Sequence, residues 1–150
     1  TAEKPIVFTS AEATPAAGDW LGLWLLDAYH PETRLDHVEV SYAGSDSTAF
    51  GGFDNCPVVD PQNAQPEAGI ILGVQPTTQI VTNSTISHSA GAGINRGWIG
   101  TPVDFRASNT FVDNAGCDQT FPEPEAGCPA EVLTRRLQAN QRRPRPPVPA

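Results

Sequence analysis

Two histidines of this chain stand beside carboxylates in strand-like segments. His37 follows Asp36 and precedes Glu39 by two residues, while His88 matches Asp113 when two copies of a repeated segment are aligned at an offset of 25 residues. A histidine next to a carboxylate can act as a general base. No nucleophile or metal ligand recurs near either histidine, so a solvated strand face and a structural His–Asp pair are the alternative interpretations.

Another set of side chains could bind a sugar. Trp24 and Asn95 fall on the same predicted outward column, and Arg96 follows Asn95 directly. A tryptophan ring can stack on the apolar face of a sugar ring. We therefore predict a carbohydrate-binding surface of Trp24, Asn95 and Arg96, whereas Trp20 and Trp98 can equally pack in the core or under loops.

Oxygen ligands are grouped in the segment around residues 45–67. Asp54, Asn55 and Asp60 could bind calcium, although neither the EF-hand spacing nor a nonapeptide spacing is present. We expect no cofactor, with calcium as the alternative. This segment is an insertion between two repeats, and insertions on a rigid scaffold often carry binding functions.

A two-part pattern that occurs three times must position these residues. In each copy a glycine precedes an apolar residue, and a second strand-like segment follows 16 or 17 residues later. Thr, Ser, Val and Ile with a period of two predict strands. One such turn cannot bury its inward face, so the spacing predicts stacked turns. The predicted inward columns are Leu23, Ile70 and Ile94, and Val40, Ile86 and Phe111.

Alternation along the strands also predicts two outward columns. These are Trp24, Ile71 and Asn95 on one face, and Glu39, Thr85 and Thr110 on another. The glycines before the first segments, Gly22, Gly69 and Gly93, are expected where the chain bends into a strand.

Four phrases of the sequence resemble secreted bacterial proteins of the right-handed parallel β-helix type, a fold shared with pectate lyases. The phrases are PIVFTS (5–10), GDWLG (18–22), LDHVEVSYAG (35–44) and NSTI (83–86). The resemblance covers residues 5–116. It implies an all-β fold, a right-handed parallel β-helix (solenoid) of about three to four turns.

The same resemblance implies little about chemistry, because the fold carries lyases, hydrolases, adhesins and proteins without known activity. Polysaccharide lyases of this type usually hold calcium in a carboxylate cluster and set an Arg or Lys against the substrate. Here Arg96 and Arg106 are the only basic residues of the later turns, and no column of acidic residues lies beside them.

The organisation of the chain follows from composition. We predict a β-helix over residues 1–128 with an inserted loop around 45–67, a short helix or cap over 129–140, and a disordered basic, proline-rich tail over 141–150. Residues 1–130 carry 4 basic and 16 acidic side chains, a net charge of −12, whereas residues 131–150 carry 5 arginines and one glutamate. The acidic body disfavours nucleic acid and anionic membranes. No apolar run is long enough to span a membrane.

Three cysteines cannot all pair within one chain. Cys117 and Cys128 bracket ten residues, and we predict a disulfide between them, as is common in exported proteins. Cys56 is then buried, free, or bonded to a cysteine elsewhere. Because no Cys-x-x-Cys or paired-histidine spacing accompanies them, we expect no metal site.

The first strand is the predicted place of contact with another polypeptide. The sequence has no methionine and begins with Thr1, so we expect a processed or trimmed piece of a longer chain. The strand begins close to Thr1, and an uncovered stack end invites association. The predicted interface contacts another polypeptide or missing N-terminal turns; it consists of Pro5, Ile6, Val7, Phe8 and Cys56.

These observations together favour a non-catalytic function. We predict a structural or binding component of an exported bacterial β-helix protein, acting in the periplasm, at the cell surface or in an extracellular assembly. The alternatives are a fragment of a carbohydrate-active enzyme, either a polysaccharide lyase or a hydrolase, and a carbohydrate-binding module whose partner is a polysaccharide.

Overall fold

The computed structural model describes residues 1–25, 28–46, 67–96 and 103–120 of the chain. In these ranges the protein is rich in β-strands, and its one helix is a short 3₁₀ helix at Arg106–Ser108. The strands are β1 (Ile6–Phe8), β2 (Leu23–Leu25), β3 (Leu35–Asp36), β4 (Val38–Ser41), β5 (Ala68–Leu72), β6 (Val81–Thr82), β7 (Thr85–Ser87), β8 (Ala92–Arg96) and β9 (Thr110–Val112).

The strands form three sheets in which every pair is parallel. Sheet 1 has the order β1-β4-β7-β9, sheet 2 has the order β2-β5-β8, and sheet 3 pairs β3 with β6. From β1 to β8, successive strands enter sheets 1, 2 and 3 in turn and then begin again at sheet 1. Between β8 and β9, which returns to sheet 1, the described residues have the 3₁₀ helix and no strand in sheet 3. The strand-rich, parallel-sheet part of the predicted fold class is confirmed.

The strand register agrees with the columns predicted from spacing. Leu23 pairs with Ile70, and Ile70 with Ile94; Val40 pairs with Ile86, and Ile86 with Phe111. The four members in the middle of the stack, Val40, Ile70, Ile86 and Ile94, are fully buried. The two inward columns are therefore confirmed, and they form the centre of the hydrophobic core.

Of the two predicted outward columns, one is solvent-exposed and the other is not. Glu39 and Thr110 are exposed, as expected. The column of Trp24, Ile71 and Asn95 has the predicted register, but the expectation that it faces solvent is wrong. All residues of β5 and β8 are buried, so both faces of sheet 2 are covered. Ile71 packs in a second, smaller cluster with Ala68, Ala92 and Trp24.

Gly22, which has a φ of 104°, directly precedes β2 as predicted, but the other two glycines of the column have a different cause. Gly69 and Gly93 lie inside β5 and β8, not at a bend before them. A Cβ on Gly69 would lie 2.8 Å from Ile86 Cγ2, and one on Gly93 would lie 2.6 Å from Phe111 Cδ1. Glycine is required here because the backbone of sheet 2 packs directly against the inward column of sheet 1.

Some predicted segments lie outside the described residues. They are most of the insertion (47–66), the possible helix or cap at 129–140 and the proline-rich tail at 141–150. The division of the chain at residue 128 therefore stays a prediction.

The close approach of sheets 1 and 2 predicts how a substitution at Gly93 changes the stability of the protein. Gly93→Ala should lower the free energy of unfolding by about 1–3 kcal/mol, because the added methyl group overpacks the contact with Phe111. Thr110→Val, which changes an exposed side chain in the same region, should change it by less than about 0.5 kcal/mol. Chemical denaturation measures both, and equal stability of Gly93→Ala and the native protein would contradict the observed packing.

Candidate functional site

Among the described residues no strand pairs with the outer edge of β1, and this edge is apolar. Ile6 is 61% exposed and Val7 is 52% exposed, whereas Phe8 packs against the core. The Ile6 N–H donates to the His37 carbonyl at 3.3 Å. Alternate residues of a parallel strand bond to the same neighbour, so the N–H and C=O of Val7 point away from β4. The edge therefore offers both an apolar surface and backbone hydrogen-bonding groups.

A polar loop after β1 holds this strand in place. The Asp19 carboxylate accepts hydrogen bonds from the Ser10 hydroxyl and from the Ala16 N–H. These two bonds lower the pKa of Asp19, the bond from Ser10 having the larger effect. The Asp19 N–H donates to the Tyr42 carbonyl, and the Trp20 indole N–H donates to the Ser41 carbonyl at 2.8 Å. The loop is thereby bonded to the turn that follows β4.

The structure brings His37 and Asp36 together at the corner between sheets 3 and 1. The Asp36 carboxylate accepts hydrogen bonds from Asn83 Nδ2 at 2.8 Å, from Thr82 Oγ1 at 2.8 Å and from His37 Nδ1 at 2.9 Å. These bonds lower the pKa of Asp36 to about 2, and the bond from Asn83 has the largest effect. At neutral pH the Asp36 carboxylate is ionised, so Nδ1 of His37 is the donor in this hydrogen bond, and in the neutral form of the ring Nε2 is the acceptor.

A polar cleft of about 470 Å³ lies next to this pair. Its wall includes His37, Asn83, Thr85 and Thr110, with Ala2 at one side. Glu39, which the sequence groups with His37, is exposed on the outward face of β4. A carboxylate-oriented histidine beside hydroxyl groups can accept a hydrogen bond from a hydroxylated molecule.

The second histidine also lies in a column across the stack. The Tyr42 and His88 rings are stacked with centroids 4.9 Å apart, and His88 Nε2 lies 3.8 Å from Asp113 Oδ2. His88 and Asp113, which the alignment of the repeats matches, therefore lie side by side in adjacent turns, but too far apart for a hydrogen bond. All three residues have positive φ, between 51° and 61°, and they occupy the same corner of successive turns.

The residues predicted to bind carbohydrate are largely inaccessible. Asn95 is 2% exposed and Arg96 is fully buried, with its Nε–H donating to the Thr120 carbonyl at 2.8 Å. Trp24 is half-buried against the second cluster, and its indole N–H points to the Leu21 carbonyl. In this conformation the three side chains do not form an exposed platform. Carbohydrate binding itself stays a prediction.

The structure also describes the surroundings of other residues that the sequence analysis named. Trp20 packs on the core, as one of its two interpretations predicted. Arg106 forms a two-point ion pair with Asp104, which lowers the pKa of that carboxyl mainly through its hydrogen bonds. Cys117 is buried. Some predictions concern residues outside the described part of the chain, so they are untested. These residues are Cys56, Cys128, Trp98, Asp54, Asn55 and Asp60.

Sequence reasoning missed two asparagines that join successive turns. Asn109 Oδ1 accepts the Ser84 N–H and its Nδ2 donates to the Val81 carbonyl; Asn114 Oδ1 accepts the Ser89 N–H and its Nδ2 donates to the Ile86 carbonyl. Each asparagine satisfies the backbone of a corner one turn earlier. The sequence contains a signal for this role, because each asparagine lies 25 residues, one repeat, after the serine whose N–H it accepts.

Among the described residues there is no group of three or more His, Cys, Asp or Glu side chains that could hold a metal ion. None of the helices in that part of the chain has the length and apolar character needed to cross a membrane. Comparison of the protein with family models, with curated proteins and with solved structures found no match in any of the three.

The hydrogen bonds to Asp36 predict its titration. Asn83→Gly keeps a residue suited to positive φ but removes the strongest hydrogen bond, so the pKa of Asp36 should rise from about 2 towards its ordinary value of 3.8. Titration of the Asp36 carboxyl carbon by NMR measures this. Thr85→Val, which removes a nearby hydroxyl but none of the three bonds, should leave the titration unchanged.

Folding stability should follow the same titration. Because the folded pKa of Asp36 is lower than the unfolded one, its stabilising effect is complete above about pH 4 and is lost as the pH falls towards about 2. Asp36→Asn should therefore flatten the loss of stability over this range. An unchanged pH profile in Asp36→Asn would contradict the assignment.

Proposed function

We propose that this protein is a non-catalytic structural or binding module of an exported bacterial β-helix protein, which joins another polypeptide through the outer edge of β1. The occupant of that edge is a β-strand that runs parallel to β1 and adds to sheet 1. Its apolar side chains would continue the columns that contain Ile6 and Phe8.

The proposed fold is a right-handed parallel β-helix. Its support is the order in which the chain enters the three sheets, together with the parallel register of every pair. Connections between parallel strands are right-handed in nearly all proteins, which supports the handedness. The likeness of four sequence phrases to secreted bacterial proteins supports export.

The observation that carries the proposal is the exposed apolar surface of the β1 edge. Proteins usually guard a sheet edge with a charge, a proline, a bulge or a very short strand. β1 is short and Pro5 precedes it, but the strand itself is Ile-Val-Phe, and its first two side chains are more than half exposed. Peptides that add to such an edge gain backbone hydrogen bonds and side-chain contacts at alternate positions.

Two further observations favour binding over catalysis. The His37–Asp36 pair has an explanation in the structure, because Asp36 bonds to Thr82 and Asn83 of the next turn as well as to His37. The burial of Asn95 and Arg96 leaves the predicted sugar-binding face covered. For these reasons a polysaccharide enzyme and a carbohydrate-binding module are less well supported than protein–protein contact.

Hydrogen exchange tests the open edge. In the dilute chain the Val7 amide should exchange much faster than that of Ile86, which lies on the central strand β7. A peptide with the sequence of residues 36–42, whose Val38 and Val40 match the spacing of Ile6 and Phe8, should slow the exchange of Val7 when it is added in excess.

Variants define the specificity of that effect. Ile6→Lys should abolish the protection of Val7 by the peptide, because a charge would be placed in the docking surface. Thr85→Lys adds the same charge on a central strand and should retain the protection. If the Val7 amide already exchanges as slowly as that of Ile86 in the monomeric chain, the edge is covered and the proposed function is wrong.

A further inference from the structure

The second edge of sheet 1 resembles the first. β9 pairs with β7, and within the described part of the chain it has no other strand partner. Val112 is 39% exposed, and Thr110 is exposed. Phe111 lies on an inward column but is only partly buried, because nothing in the described residues continues that column beyond it. Sheet 1 thus exposes one edge at each end of its stack.

The two edges end in the same kind of residue. The register connects Phe8 to Val40, Val40 to Ile86 and Ile86 to Phe111, so one column begins and ends with phenylalanine. If β1 of one molecule were placed beside β9 of another, Phe8 would follow Phe111 in an unbroken column. Aromatic pairs of this kind bury a large area and stabilise interfaces.

The direction of the strands decides which geometry is allowed. All strands of sheet 1 are parallel, so a second copy that is translated along the stack presents β1 to β9 in the parallel sense. A twofold contact between two β1 edges would instead pair the strands antiparallel, and the columns would not continue. The matching edges are therefore heterologous, and such contacts propagate into open chains of molecules.

We propose, on the basis of the function proposed above, that the strand which docks on β1 is β9 of a second copy of this chain. Molecules stack head to tail through sheet 1, with Ile6, Val7 and Phe8 on one side and Thr110, Phe111 and Val112 on the other. The formal net charge of each copy is −8, so the copies repel one another at low ionic strength. Salt screens this repulsion and strengthens the stacking.

Sedimentation velocity of the 150-residue chain tests this arrangement through two complementary variants. Ile6→Lys places a charge in an inward column at the β1 edge and Phe111→Lys does the same at the β9 edge, where Ile6 is 61% exposed and Phe111 is only partly buried. The native chain should form a concentration-dependent series of oligomers that strengthens between about 0.02 M and about 0.5 M salt. Each variant alone should be monomeric, with an apparent dissociation constant raised by more than about tenfold.

The mixture of the two variants gives the decisive result. Ile6→Lys retains an intact β9 edge and Phe111→Lys an intact β1 edge, so together they should form a 1:1 dimer and nothing larger. Thr85→Lys should assemble like the native chain, because its lysine lies on a central strand. Circular dichroism of each variant confirms that the monomers are folded.

The other outcomes separate this inference from the proposed function. If Phe111→Lys still dimerises alone while Ile6→Lys does not, the contact is a symmetric pairing of β1 edges, and head-to-tail stacking is wrong. If the native chain stays monomeric at every concentration and salt, stacking is also wrong. In either case protection of Val7 by the strand peptide would still support docking at β1, whereas a slowly exchanging Val7 in the monomer would overturn both.

Discussion

In-register parallel pairing is the constraint on which the rest of this structure depends. Because each strand pairs with the equivalent strand of the next turn, each residue is surrounded by residues at the same position one turn earlier and one turn later. Apolar residues at one position therefore form a continuous column. The same rule applies to glycine, since Gly69 and Gly93 permit sheet 2 to approach the column of Ile86 and Phe111.

The corners between the sheets show how polar groups satisfy this constraint. One column contains Val38, Ser84 and Asn109 at the same position of successive turns. The Asn109 side chain forms hydrogen bonds with the backbone of the turn before it. A backbone corner would otherwise leave N–H and C=O groups buried without partners, at a cost of about 1–3 kcal/mol each. The stack is thus held by columns of polar bonds at its corners and by apolar columns between them.

The spacing of the repeats was sufficient to predict the register of sheets 1 and 2. Positions such as Leu23 and Ile70 could be paired because the distance to the second segment is almost constant, even though the turns differ in length. The exposure of β1 was also predictable from its apolar sequence. Both conclusions depend on local patterns that repeat along the chain.

Other features depend on contacts that no local pattern contains. Asn95 and Arg96 are buried because the outer face of sheet 2 is covered. The alternation of residues within a strand shows that its two faces differ in polarity, but not whether either face is covered. The bonds to Asp36 come from Thr82 and Asn83, 46 and 47 residues away, through a sheet of only two short strands. The glycine column was recognised, but its cause is the distance between sheets, which spacing alone does not determine.

The most direct test of this account is the measurement of scalar couplings across backbone hydrogen bonds in the isotopically labelled chain. The account predicts couplings from the Ile6 amide to the His37 carbonyl, from the Thr110 amide to the Ser84 carbonyl, and from the His88 amide to the Val112 carbonyl. The first coupling places β1 beside β4, and the other two together define the parallel direction and the register of β7 and β9. Couplings that join these strands in an antiparallel sense, or that are shifted by one residue, would contradict it.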